Sequence, residues 1–172
     1  GGDPDRITIG GESAGAFSVC NMLAMPSTDG LFHRAIAQSG AAHHTFDPEE
    51  GSGIAAEFLG RLGNPSADEL LAMDVGALLE AQEQVAADRS HLSGRNQEPF
   101  YPVWGHEALS RAPRELIAEG AGADIAMLTG TNEDELALWG VTGTTAAEVD
   151  DMVGAITEDP AGMLATYRRR LD

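Results

Sequence analysis

Three short apolar runs stand out along the chain: Ile7-Thr8-Ile9, Arg34-Ala35-Ile36-Ala37-Gln38 and Ile125-Ala126-Met127-Leu128. Each has the length of a strand and is stopped by small residues, Gly10-Gly11, Ser39-Gly40 and Gly130. They predict strands at about residues 6–12, 33–39 and 124–129. Between the first two, Phe17, Cys20 and Leu23 or Ala24 recur at three- and four-residue spacing. That spacing predicts a helix over 14–25, ending before Pro26. Strand, helix, strand is the right-handed crossover of a parallel sheet, so the three strands are expected to be parallel and adjacent in chain order.

After Phe46 the pattern changes to helical. Ile54, Phe58 and Leu62 mark one segment, residues 67–73 follow a Pro65-Ser66 start, and Val75 to Arg89 is a longer run. Ser90 to Gln97 is polar and expected to be mobile. Pro99 to Gly105 is aromatic and proline-punctuated, which suits a rigid connector better than a strand. Pro113 to Glu119 reads as a helix with Gly120 past its end. Glu133 to Trp139, Thr145 to Ile156 and Pro160 to Leu171 read as helical, the last closing on Arg168-Arg169-Arg170, cations that complement the helix dipole.

Composition narrows the functional classes. The 172 residues carry 28 acidic and 10 basic side chains, a net charge of −18, so a nucleic-acid partner is not expected without a basic stripe. Every basic residue is Arg, which removes a P-loop lysine, a Schiff-base lysine and a Ser-x-x-Lys pair from this stretch. The single Cys20 falls on the apolar helix face and reads as a buried small hydrophobe. No apolar run approaches 18 residues, so no membrane span is expected and the chain reads as soluble.

The chemistry concentrates where the first strand turns into the first helix. Gly11-Glu12-Ser13-Ala14-Gly15 has the form Gly-x-Ser-x-Gly, a nucleophile elbow in which a serine is held on a strained strand-to-helix turn above a sheet. Glycines at 11 and 15 are expected to let strand and helix approach closely. The Ala14 N–H, at the helix N-terminus, is positioned to serve as one arm of an oxyanion hole. An ordinary surface turn capped by Ser13 is the competing reading, but it explains neither the glycines nor the strand. A dinucleotide fingerprint fails, because Gly10-Gly11 to Gly15 does not give Gly-x-Gly-x-x-Gly.

The runs GGDPDRITIGGESAGAFSV and STDGLFHRAIAQSGA, with PFYPVWG at 99–105 and IAMLTGTNEDELALWG at 125–140, resemble the type-B carboxylesterases of the α/β-hydrolase superfamily. The likeness is close over residues 1–42 and diffuse between the later blocks. It implies an α/β fold: a partial α/β-hydrolase sheet of about three parallel strands with the elbow, flanked by helices. Family members are much longer, so the resemblance implies an internal fragment. Its expected parts are a βαβ unit (1–45), a helical excursion (46–112), a strand with an acid loop (113–140) and C-terminal helices (141–172).

By the same resemblance the substrate is a small-molecule ester and no metal or organic cofactor is needed. Ser13 is the implied nucleophile. By position in the family's acid motif Glu135 is the triad acid, with Glu133 and Asp134 as solvated or capping alternatives, although Leu136 stands where the family has Gly. Glu12 is the implied pocket-lining acid, and Ser39 the implied buried serine behind the site. The family's histidine follows the acid, whereas His33, His43, His44, His91 and His106 all precede Glu135. The base and the glycine-rich arm of the oxyanion hole are therefore expected outside this stretch. His33 is expected to pack or hydrogen-bond; His43 and His44 follow the second strand and stand as distant candidates for the base. A non-catalytic cholinesterase-like interaction module is the alternative, and it usually lacks the serine. Lacking the family's neighbouring strands, the sheet would have open apolar edges, and self-association is expected.

Overall fold

A computed structural model describes residues 2–89, 100–135, 137, 143–154 and 157–171, and the side chains of 170 and 171 lie outside that description. The three apolar runs become strands β1 (Thr8–Glu12), β2 (Arg34–Gln38) and β3 (Ala126–Gly130), all parallel and ordered β1-β2-β3. The register is continuous: Ile9 lies beside Ala35 and Ala35 beside Met127, and the last residues Glu12, Gln38 and Gly130 are neighbours.

Helix α1 (Ala14–Leu23) makes the crossover and lies on one sheet face. Small side chains at Ala35 and Ala37 are fully buried there, against Ala16, Val19, Cys20 and Leu23, with Phe32 completing the cluster. Burial pushes the Cys20 thiol pKa upward, as expected of a packed and unreactive cysteine. The opposite face carries Gly10, Ile36 and Leu128 in one row, and Leu128 is 66% exposed.

Helix α2 (Pro48–Arg61) starts at Asp47, whose carboxylate accepts from the Glu50 N–H, and α3 (Ala67–Leu71) starts in a Ser66/Glu69 capping box. Helix α4 (Val75–Arg89) packs on α2 around Phe46, Ile54 and Val85, with Phe58, Tyr101 and Val103 at the margin. Ion pairs join the two helices at the surface, Arg61 to Asp88 and Arg89 to Glu57, while Arg61 also pairs with Glu57 one turn back within α2. Helix α5 (Pro113–Ala118) packs on α1, while α6 (Ala146–Gly154) and α7 (Pro160–Leu171) pair with each other.

Several boundaries depart from expectation for local reasons. Pro4–Arg6 forms a 3₁₀ turn capped by Asp3, which delays the first strand to Thr8. The third strand begins at Ala126 because Ile125 still donates back to the Gly122 carbonyl, closing the turn after α5. The buried stripe of α1 holds Cys20, Leu23 and Ala24 as expected, joined by Ala16 and Val19, and only Phe17 of the expected face is half-buried. The 99–105 connector holds one isolated parallel bridge, Phe46 to Val103. The polar run 90–97, Pro99, His91, Leu136 and most of the helix expected at 133–139 lie outside the described residues.

Candidate active site at the carboxyl ends of the strands

Where β1 gives way to α1, the chain must turn within one residue. Ser13 makes that turn with φ 51° and ψ −117°, a region costing a non-glycine residue about 1–3 kcal/mol. The strain is held from both sides: the Ser13 N–H donates to the Gln38 carbonyl at 2.9 Å, and the Ser13 carbonyl accepts from the Phe17 N–H at 3.0 Å. The hydroxyl makes no capping bond to the helix, and the residue is exposed, so the plain N-cap reading does not hold. Ala14 opens the helix beside it with its side chain exposed.

Only one of the two glycines is sterically required. A Cβ on Gly11 would lie 2.2 Å from the Gly15 carbonyl carbon and 2.3 Å from its oxygen, contacts no relaxation of a side chain could relieve. A Cβ on Gly15 would meet nothing within 4 Å among the described residues. The close approach of strand and helix therefore depends on Gly11, and the expectation for Gly15 is corrected: it offers its backbone, not its missing side chain, to the contact.

On the neighbouring strands the same edge gathers the other candidates. Ser39 directly follows β2, with φ 54°, and its N–H donates to the Gly130 carbonyl at 2.8 Å. Its hydroxyl donates to Oε2 of Glu135 at 2.8 Å, and the Asn132 N–H donates to the same oxygen at 2.8 Å. Glu135 is thus half-buried and fixed from two strand ends, whereas Glu133 and Asp134 are exposed. Glu12, the last residue of β1, is exposed beside Ser13. The Asn132 contact was not foreseen, although an acidic side chain reaching back three residues to a backbone N–H is a pattern that sequence spacing can carry.

The histidines separate by position. His33 precedes β2 at the opposite edge of the sheet; its Nδ1 accepts from the Ile7 N–H at 3.3 Å, a hydrogen-bonding role as expected. His106 Nε2 lies 2.6 Å from the Val103 carbonyl. His44 stacks on Phe17, ring centroids 3.6 Å apart and 15° from parallel, with His43 tilted against it at 4.1 Å. Burial, and then the Arg114 charge, hold the His43 pKa below its ordinary 6.5. Neither the aromatic stack nor its dependence on Phe17 was visible in the spacing of the chain. Among the described residues no group of three His, Cys, Asp or Glu side chains could hold a metal ion, and no helix is long and apolar enough to cross a membrane.

With the strained serine after the first strand and the tethered glutamate after the third in place, the whole-chain comparison decides the family: the model of the carboxylesterase family aligns with residues 1–159. The chain belongs to the carboxylesterase family. It is similar to a para-nitrobenzyl esterase of Bacillus subtilis, 39% identical over 138 residues, an alignment covering 78% of this chain and 27% of that one. Carboxylesterase 1D of Mus musculus is 34% identical over 145 residues, covering 78% of this chain and 26% of the enzyme. Among solved structures, a thermophilic para-nitrobenzyl esterase superposes with a TM-score of 0.76 at 34% identity, over 91% of this chain and 33% of its own. A carboxylesterase of Geobacillus stearothermophilus gives 0.69 at 33% identity, over 90% and 33%. The chain thus spans about a quarter of the length of these curated relatives. The fold is the corresponding part of an α/β-hydrolase carboxylesterase, a short three-strand parallel sheet flanked by helices.

Proposed function

We propose that these residues carry the nucleophile and the acid of a serine hydrolase that cleaves carboxylic esters. The corner at residues 10–15 is then a nucleophile elbow. Ser13 Oγ attacks the ester carbonyl, and the tetrahedral oxyanion is met by the Ala14 N–H at the start of α1. A histidine from outside these 172 residues takes the serine proton and returns it to the leaving alcohol; Glu135 holds that histidine in the productive tautomer and stabilises its charged form. Ser39 and the Asn132 N–H keep the Glu135 carboxylate from rotating away, and Glu12 lines the pocket beside the nucleophile. The reaction draws on acid, base and backbone dipoles alone, with no metal or organic cofactor.

One observation carries this reading: a serine under backbone strain and a doubly tethered glutamate at the same edge of one parallel sheet. In an ordinary turn such strain would relax unless the surroundings over-determined it, and strain of this kind gathers at functional sites.

The test compares the 172-residue chain with the protein expressed from its complete open reading frame, each with and without Ser13→Ala. The substrates are a para-nitrophenyl ester and a serine-directed organophosphonate. The complete protein is expected to turn over and to be labelled, both lost in Ser13→Ala. The chain alone is expected to stay near background, since general-base assistance contributes about 10²- to 10⁴-fold and an oxyanion donor about 10²- to 10³-fold. Turnover by the complete protein that survives Ser13→Ala would refute the assignment.

A further inference from the structure

The ring of Phe17 occupies an unusual place. It sits in the first turn of α1, and its own N–H holds the Ser13 carbonyl at 3.0 Å. Against it lies Gly40, where a Cβ would come within 2.8 Å of the ring atoms Cδ1 and Cε1 and 2.7 Å of the Ala16 Cβ. Gly40 shows no left-handed φ, so the demand for glycine here is one of space. The His44 ring stacks on the Phe17 ring at 3.6 Å, and Tyr101 meets His44 edge-on at 5.3 Å. The segment after β2 thus meets Phe17 at two points, Gly40 and His44. Gly40 is covalently joined to Ser39, whose hydroxyl holds Glu135.

We infer that Phe17, in contact with Gly40 and His44, is a positioning residue that sets the spacing between the Ser13 turn and the Ser39–Glu135 pair. The path is short and every step is a contact: Ser13 carbonyl to Phe17 N–H, Phe17 ring to Gly40, Gly40 to Ser39, Ser39 hydroxyl to Glu135. Extra volume at Gly40 would drive the loop and α1 apart, and loss of the His44 ring would let Phe17 swing out of its seat. Either change displaces the acid relative to the nucleophile without touching the groups themselves. Displacements of about 1 Å in such constellations can cost on the order of 10²-fold in rate. The role assigned to His44 is that of a flat ring, not a base. This inference rests on the esterase reading above.

The experiment uses the complete protein, para-nitrophenyl ester turnover and an unfolding midpoint for each variant. Gly40→Ala and His44→Ala are expected to lower kcat at least about tenfold with KM within about twofold. His44→Phe, which keeps the ring and removes both nitrogens, is expected to stay within about twofold of the parent in kcat and to keep its pH profile. Should His44→Ala fail to fold, Phe17→Leu carries the same expected loss. Folded His44→Ala or Phe17→Leu proteins with parental kcat would overturn the inference, as would a His44→Phe protein as impaired as His44→Ala. Ser13→Ala run alongside separates the two levels: its inactivity beside indifferent Phe17, Gly40 and His44 variants defeats the positioning role alone. Activity retained in Ser13→Ala defeats both.

Discussion

The strand-end module and the α2–α4 helix pair lie in one chain but are held together by different means. In the first, tolerances are set by backbone: Gly11 against Gly15, a positive φ at Ser13, and hydrogen bonds from Ser13 and Ser39 across to the neighbouring strands. In the second, side chains do the work, with Phe46, Ile54 and Val85 buried and exposed ion pairs around them. A backbone contact cannot be repacked, whereas a small apolar cluster can shrink around a lost methyl. The contrast separates a region whose geometry is specified to tenths of an ångström from one specified mainly by burial.

If that difference is real, the largest effect should come from the smallest addition. Gly11→Ala places one methyl where backbone already stands and should cost at least about 3 kcal/mol in urea unfolding; a loss under about 1 kcal/mol would mean that the corner gives way easily. Removing volume from the helical pair should matter less. Val85→Ala, at a fully buried position, is expected to lower stability by about 2 kcal/mol by the same measurement, and an effect exceeding that of Gly11→Ala would reverse the comparison.

The smallest effect belongs to the boundary between the two regions, at His43. Its folded pKa lies below 6.5, from burial first and Arg114 second, so the unfolded chain takes up a proton that the folded chain refuses. Stability from this group is therefore fully present above the ordinary histidine value, falls as pH drops through 6.5, and is lost once pH passes below the depressed folded value. Urea midpoints at pH 7.5 and 5.5 should differ less in His43→Asn than in the parent. An identical acid-side fall in both would remove His43 as its source.

How much of this could be read from the chain follows the same division. The strands were legible to within two residues, because each is a short apolar run between glycine or serine stops, and their parallel order followed from a single crossover. The strained turn at Ser13 was legible from its flanking glycines, and the gathering of Ser39 and Glu135 at the same strand edge from the blocks of sequence around them. The misassigned need for glycine at 15 shows the limit: motif spacing says that two backbones meet, not which of them lacks room for a Cβ. The Phe17–His44 stack lay further out of reach. It joins a helix turn to a loop 27 positions later, and no periodicity within either segment encodes that meeting.

The shared level of Glu12, Gln38 and Gly130 makes this edge a kind of gauge block, with strand length as its standard. One residue of strand measures about 3.3 Å, and successive side chains point to opposite faces. A single insertion inside β1 or β3 would lift Ser13 or the acid loop off the common plane and turn Ile9 or Met127 out of its row. The same insertion in the exposed turn between α2 and α3, at Gly63-Asn64, leaves the level untouched. Length variation in a lineage built on this edge is thereby channelled outward into its loops, while the count of residues along each strand stays fixed.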